Sequence, residues 1–220
     1  MATTVEARSR GQSTPATAPA PWYRDRNRLA IVGGITVVVL ALLTWFLLTS
    51  NRRKEEFAQR SLNQARAAAE AGNLPLASSE LQKVIQTYEG TDAATEAALT
   101  LNQVRMVNGQ SELAAVGIRD FLASDPAEKY LAPANGLLGA ALENAKRFAD
   151  AGAAFEKASA SATLEYLKAR YLVDAGRAYR AGGKDPQAIA AYRTVIQKYP
   201  ESSSFTEAQV RLAEMTAGKM

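Results

Sequence analysis

The sequence predicts an all-α protein: a single transmembrane helix followed by a solenoid of helix–turn–helix hairpins, about four repeats of 37 residues, and a C-terminal capping helix. Three observations carry this prediction. A stretch of twenty residues, Leu29 to Leu48, contains no charge. Alanines recur at steps of 37 at Ala77, Ala114, Ala151 and Ala188. Glycine- and asparagine-rich breaks divide the rest of the chain into amphipathic segments too short for anything but hairpins.

In chain order, residues 1–28 precede the apolar stretch, and residues 1–21 hold no apolar periodicity. The first 21 are rich in Thr, Ala, Ser and Pro and contain three of the eight prolines. A segment of this kind cannot bury enough apolar area to offset its ordering entropy, so it is expected to be a flexible tail.

The transmembrane helix is expected over 29–49. Twenty helical residues at 1.5 Å each cover about 30 Å, the thickness of a bilayer's hydrocarbon core. Trp22, Tyr23 and Trp45 suit the two interfacial belts. A cleaved signal peptide would need a shorter apolar region and a small-residue cleavage site, whereas TSNRRKEE follows here. Ala30 and Gly34 offer a small-xxx-small pairing to the transmembrane helices of a larger complex. The flanking charges tie, with Arg8, Arg10, Arg24, Arg26 and Arg28 against Arg52, Arg53, Lys54, Arg60 and Arg66, so they do not set the orientation.

Residues 50–57 read as a basic juxtamembrane helix. No Pro or Gly lies between Asn51 and Ala71, so the membrane helix is expected to run on into the first repeat, with Ser50–Asn51 the one weak point. Repeats are expected over about 58–94, 95–131, 132–168 and 169–204. The clearest self-match is VIQTYE at 84–89 against VIQKYP at 195–200, which are 111 residues apart, three steps of 37. Four residues after each periodic alanine comes a large apolar residue: Leu81, Ile118, Phe155 and Tyr192. Ala and a large residue at i+4 make one helix face at its closest packing. A second amphipathic segment lies upstream in each unit, separated by Gly72-Asn73, Asn108-Gly109, Asn144 to Arg147, and Gly182-Gly183. Residues 205–220 continue the pattern once and read as the capping helix and C-terminus.

Composition narrows the function. The chain has no Cys and no His, which excludes thiolate nucleophiles, Cys/His zinc sites and Ser-His or Cys-His catalytic pairs. Asp120 with Asp125 and Glu55 with Glu56 are the nearest approach to paired carboxylates, and neither sits in a recognisable pocket pattern. No catalytic residue, metal or cofactor is expected. The net charge of +4 is concentrated around the apolar stretch, leaving residues 55–220 slightly acidic. Nucleic acid needs a basic face on the folded domain and is therefore not an expected partner.

These residues resemble the tetratricopeptide repeat family, whose pattern places Leu-Gly-x-x-Tyr in the first helix and Ala-x-x-x-Phe-x-x-Ala in the second. Gly176, Tyr179, Ala188, Tyr192 and Pro200 fit it in the fourth unit; Leu138, Gly139, Ala151, Phe155 and Ala158 fit it in the third. The first two units depart from it, with Ala65 and Asn102 at the small position and Gln64 and Arg105 at apolar ones. The resemblance implies that Ala77, Ala114, Gly139, Ala151, Phe155, Gly176, Tyr179, Ala188 and Tyr192 pack the repeats. It also implies a binding groove lined by the first helices. Carried over by position, the groove takes Leu62 and Arg66, then Leu99, Gln103 and Met106. Ala140 and Glu143 follow, then Arg170, Val173, Arg177 and Arg180. Three arginines on one stripe suggest a cationic end for an acidic segment or a terminal carboxylate.

The layout of tail, anchor and repeat domain is similar to the translocon-associated periplasmic chaperone family. That similarity implies a bacterial inner-membrane, single-pass protein with a cytoplasmic N-terminus and a periplasmic repeat domain. The expected function is a membrane-anchored scaffold or chaperone-like protein that binds envelope or translocon-associated partners. The alternative is a permanent accessory subunit of a large secretion, respiratory or photosynthetic complex.

Overall fold

The computed structural model describes residues 26–216, and all regular structure among them is helical. The expectation of a flexible tail falls, for residues 1–25, outside the described residues, as do the last four residues of the chain. The chain divides into two compact units at Asn51.

Helix α1, Arg26–Glu70, continues through Ser50 and Asn51 without a break. In the first unit its large apolar side chains, among them Ile31, Val37, Leu42, Trp45 and Phe46, are exposed. This helix is long and apolar enough to cross a membrane by length and composition. Its polar side chains look after themselves: the hydroxyls of Thr44 and Thr49 each donate to the carbonyl four residues back, at 2.8 Å. A hydroxyl satisfied in this way tolerates apolar surroundings.

The second unit, from Arg52, contains the rest of α1 and α2 (Leu74–Thr87), α3 (Asp92–Val107), α4 (Ser111–Ala123), α5 (Glu128–Asn144), α6 (Phe148–Ser161), α7 (Glu165–Ala181), α8 (Asp185–Lys198) and α9 (Phe205–Thr216). The even-numbered helices from α2 to α8 all begin 37 residues apart, at 74, 111, 148 and 185. The helices before them end at the same interval, at 70, 107, 144 and 181.

One turn motif explains this regularity. Gly72, Gly109, Lys146 and Gly183, again at steps of 37, adopt positive φ of 78°, 75°, 60° and 68°. After each, the next N–H reaches back to a carbonyl of the preceding helix. Asn73 bonds Ala68 at 2.9 Å, and Gln110–Arg105, Arg147–Leu142 and Lys184–Tyr179 follow at 2.8 Å. These bonds satisfy carbonyls that the helix end would otherwise orphan. Lys146 alone pays the Cβ penalty of the left-handed conformation. Lys146→Gly should therefore raise stability by roughly 0.5–1 kcal/mol, read as an increase in the midpoint of a denaturant melt.

The helices that open the later hairpins start earlier than the expected unit boundaries, at Asp92, Glu128 and Glu165 rather than 95, 132 and 169. At α3 the cause is clear. The Thr91 hydroxyl accepts from the Ala94 N–H, and the Glu55 carboxylate accepts from the Asp92 and Ala93 N–H groups, both at 2.9 Å. A first turn whose free donors are all met can begin there. Lys54 also donates to the Glu89 carbonyl at 2.6 Å. Residues assigned on sequence to a juxtamembrane helix thus already hold the next hairpin.

Ala77, Ala114, Ala151 and Ala188 are fully buried, as are Leu81, Ile118 and Tyr192. Small and large residues are matched across the hairpins. A Cβ added at Gly139 would meet the Phe155 ring at 2.7 Å, and one at Gly176 the Tyr192 ring at 2.6 Å. Gly152 likewise makes room for Tyr179, whose hydroxyl donates to Glu156 at 2.9 Å. Burial and that bond push the Tyr179 phenol up to about 12.

The α3/α4 hairpin inverts this arrangement. Asn102 occupies the small position, and the space is found opposite, at Gly117, where a Cβ would lie 2.5 Å from the Asn102 Oδ1. Arg105 donates to that same oxygen at 3.0 Å, and the Asn102 amide donates to the Ala98 carbonyl. This polar interface divides the apolar interior in two. One cluster runs from Ala58 to Val104 and the other from Ala114 to Leu212.

Candidate functional site

Three adjoining depressions lie along the helices that open each hairpin. The first, of about 350 Å³, is bounded by Arg66, Leu74, Gln103 and Val107. The second, also about 350 Å³, takes in Arg66, Glu96, Leu99, Gln103, Tyr130 and Pro133. The third and largest, about 480 Å³, is bounded by Gln103, Pro133, Leu137, Arg170, Tyr171 and Asp174. Arg66 and Thr100 join the first two, and Pro133 the last two, while Gln103 borders all three. The result is one groove through the domain.

Repeat periodicity builds its walls. Arg66, Gln103, Ala140 and Arg177 stand 37 residues apart, as do Thr100, Leu137 and Asp174, and Glu96, Pro133 and Arg170. Pro133 lies inside α5 and has no N–H, so the Lys129 carbonyl one turn back receives no helical hydrogen bond.

Ion pairs tie each opening helix to the next. Arg66 bonds Glu96 at 3.0 Å, Lys129 bonds Asp92 at 2.7 Å, Arg177 bonds Glu143 at 3.2 Å, and Arg180 bonds Glu214 at 2.6 Å. Arg177 also meets Asp174 at 3.2 Å. The Lys129 bond holds the Asp92 carboxyl below its usual range, and the Arg180 bond does the same for Glu214. Burial pushes the Asp174 carboxyl up against the pull of Arg177 and Arg170. Burial also opposes the charge on Arg177, but Glu143 and Asp174 outweigh it and the guanidinium stays charged.

Of the groove residues expected from sequence, Arg66, Leu99, Gln103, Ala140, Glu143, Arg170 and Arg177 border the depressions. Val173 does not: it is 4% exposed and belongs to the apolar interior. Leu62, fully buried, is displaced from the groove for the same reason. Met106 packs against the interior, and Arg180 is turned to α9 by Glu214. Of the three arginines expected on one stripe, Arg177 and Arg180 are each paired with an acid of a neighbouring helix, and Arg170 is exposed at the groove.

Sequence reasoning missed Pro133, Leu137, Tyr171 and Asp174. Periodicity could have found Leu137 and Asp174, which follow Thr100 by one and two steps of 37. Tyr171 carries no such signal; it reaches the groove because Gly136 leaves space under its ring, where a Cβ would lie 2.6 Å away. Among the described residues no cluster of three or more acidic side chains could hold a metal ion.

The last hairpin has a recognisable sequence. Residues 170–202 match the tetratricopeptide repeat model. No curated protein matches the chain. Solved structures with tetratricopeptide-like folds do. A crystal structure of MamA is 24% identical, with a TM-score of 0.55, over 70% of this chain and 84% of that one. A second MamA structure is 23% identical, with a TM-score of 0.58, over 74% and 83%. The tetratricopeptide-like repeats of a Podosopora anserina putative kinesin light chain are 18% identical, with a TM-score of 0.57, over 73% and 85%. At these identities the likeness concerns the fold. The match and the shared fold support a tetratricopeptide solenoid, a class of structure that mediates contacts between proteins.

Proposed function

We propose that this protein is a membrane-anchored interaction scaffold, with four tetratricopeptide units between about residues 58 and 204 presenting one groove to a partner protein. The observation that carries this reading is the continuity of the groove across successive opening helices, with Gln103 at its centre. Residues 29–48 anchor the chain in a bacterial inner membrane, with the N-terminus cytoplasmic and the repeat domain periplasmic. Support for the anchor is the run of exposed apolar side chains on α1 and its two self-satisfied hydroxyls. Leu99, Gln103, Glu143, Arg170 and Arg177 are the proposed partner-facing residues.

Because the chain has no cysteine, single cysteines can report its topology directly. In intact spheroplasts a membrane-impermeant maleimide should label Ser203→Cys and leave Thr14→Cys unlabelled. Proteins that co-purify with the wild type in mild detergent should be lost from Gln103→Arg. Equal labelling at both sites would overturn the proposed topology, and an unchanged set of co-purifying proteins would overturn the groove as the binding surface.

A further inference from the structure

Most of the charges bordering the groove are engaged in ion pairs and their sum is zero, and this specifies the partner. The charged residues bordering the three depressions are Arg66, Lys129, Arg170 and Arg177 on one side of the balance and Glu70, Glu96, Glu143 and Asp174 on the other, a net charge of zero. Arg66, Lys129 and Arg177 are engaged in the ion pairs between helices, and Asp174 and Glu143 share Arg177. A strongly acidic or basic ligand would have to break these contacts, or bring its charge into a groove with no net formal charge to balance it.

Besides the one exposed Arg170 guanidinium, what the groove offers freely is apolar and hydrogen-bonding. Pro133, Leu137, Ala140 and Tyr171 form an apolar saddle on α5 and α7, with Leu99 beside it on α3. The exposed Gln103 amide can donate and accept, and the Lys129 carbonyl lacks its helical donor because of Pro133. An extended backbone can use both groups while its side chains rest on the saddle.

We infer that the groove selects an extended, uncharged, apolar segment of a partner protein, rather than an acidic tail or a terminal carboxylate. This inference rests on the groove being the binding surface, and the experiment separates the two claims. The full-length chain in detergent micelles is used to select from a phage-displayed library of random dodecapeptides. Selected sequences are then tested as synthetic peptides against the wild type and against Leu137→Arg. Ala140→Arg serves as the second variant, and helical melts establish that each is folded.

Peptides of near-zero net charge, rich in apolar residues, should dominate. They should bind either variant at least about tenfold more weakly and change affinity by less than about twofold across a tenfold range of salt. Enriched peptides that are strongly charged, salt-sensitive and still lost on the variants would overturn the inference about chemistry while leaving the groove as the site. Recovery of no peptide, or only of peptides indifferent to both variants, would overturn the groove and the inference with it.

Discussion

Tyr192→Ala is expected to be among the most damaging single changes in the repeat domain, at a cost of about 3–5 kcal/mol. The ring is fully buried and closes the α7/α8 hairpin over Gly176, so its removal leaves a cavity between helices that cannot easily collapse. Tyr192→Phe should behave oppositely. The Tyr192 hydroxyl is buried without a hydrogen-bond partner, and burial pushes its proton affinity up. Deleting an unpaired hydroxyl while keeping the ring should leave stability unchanged or raise it by up to about 1–3 kcal/mol. Thermal melts of the two variants beside the wild type give the signs directly. A large loss in Tyr192→Phe would mean that a buried water or another unseen group completes this hydroxyl.

The second large effect is the reverse experiment. Gly176→Val and Gly139→Val should each cost about 1–3 kcal/mol or more, although helix propensity alone favours almost any residue over glycine by up to ~1 kcal/mol. Overpacking wins because the atoms in the way are buried aromatic rings, 2.6–2.7 Å from where a Cβ would stand. Such rings cannot swing aside as the end of an exposed chain can. If contact is the cause, Gly176→Val combined with Tyr192→Leu should lose less than the sum of the two single changes, by at least about 1 kcal/mol. Additive losses in that double-mutant cycle would show that the two residues do not interact in the way proposed.

Much of the solenoid was legible because its determinants are local and periodic. The alanines at 77, 114, 151 and 188 and the large residues four positions later are set by one helix face, and hydrophobic spacing reports a helix face well. The turns were readable at three positions through glycine, and at the fourth, Lys146, only through its neighbours. The starts of the opening helices were less readable. The α3 start depends on Glu55, 37 residues away in sequence, and no local signal carries a long-range cap.

The candidate site was the least readable part. Position in the repeat could place Arg177 and Arg180 on a shared stripe, but the acids that balance their charge, Glu143 and Glu214, are each 34 residues distant. A stripe that looks cationic in one unit is balanced by its neighbours once the units stack. Val173 shows the complementary failure: the same register position borders the groove at Leu99 and is buried at Leu62 and Val173. The departures at Asn102 and Arg105, by contrast, looked like noise in the repeat and proved to be one compensated exchange with Gly117.

That exchange has a mechanical consequence. The domain contains two apolar cores that meet at a polar seam between α3 and α4, beneath the part of the groove bordered by Gln103. A repeat array breaks where the coupling between neighbours is weakest, and parting at this seam keeps the fully buried members of each core together, losing only the partly buried Leu99 and Met106 that α3 packs against the second. The domain should therefore lose cooperativity there first, with residues 54–107 and 111–216 exchanging their amide protons as two separate blocks. The groove lies across the boundary, so a segment bound along it would act as a splint, fastening the two halves together.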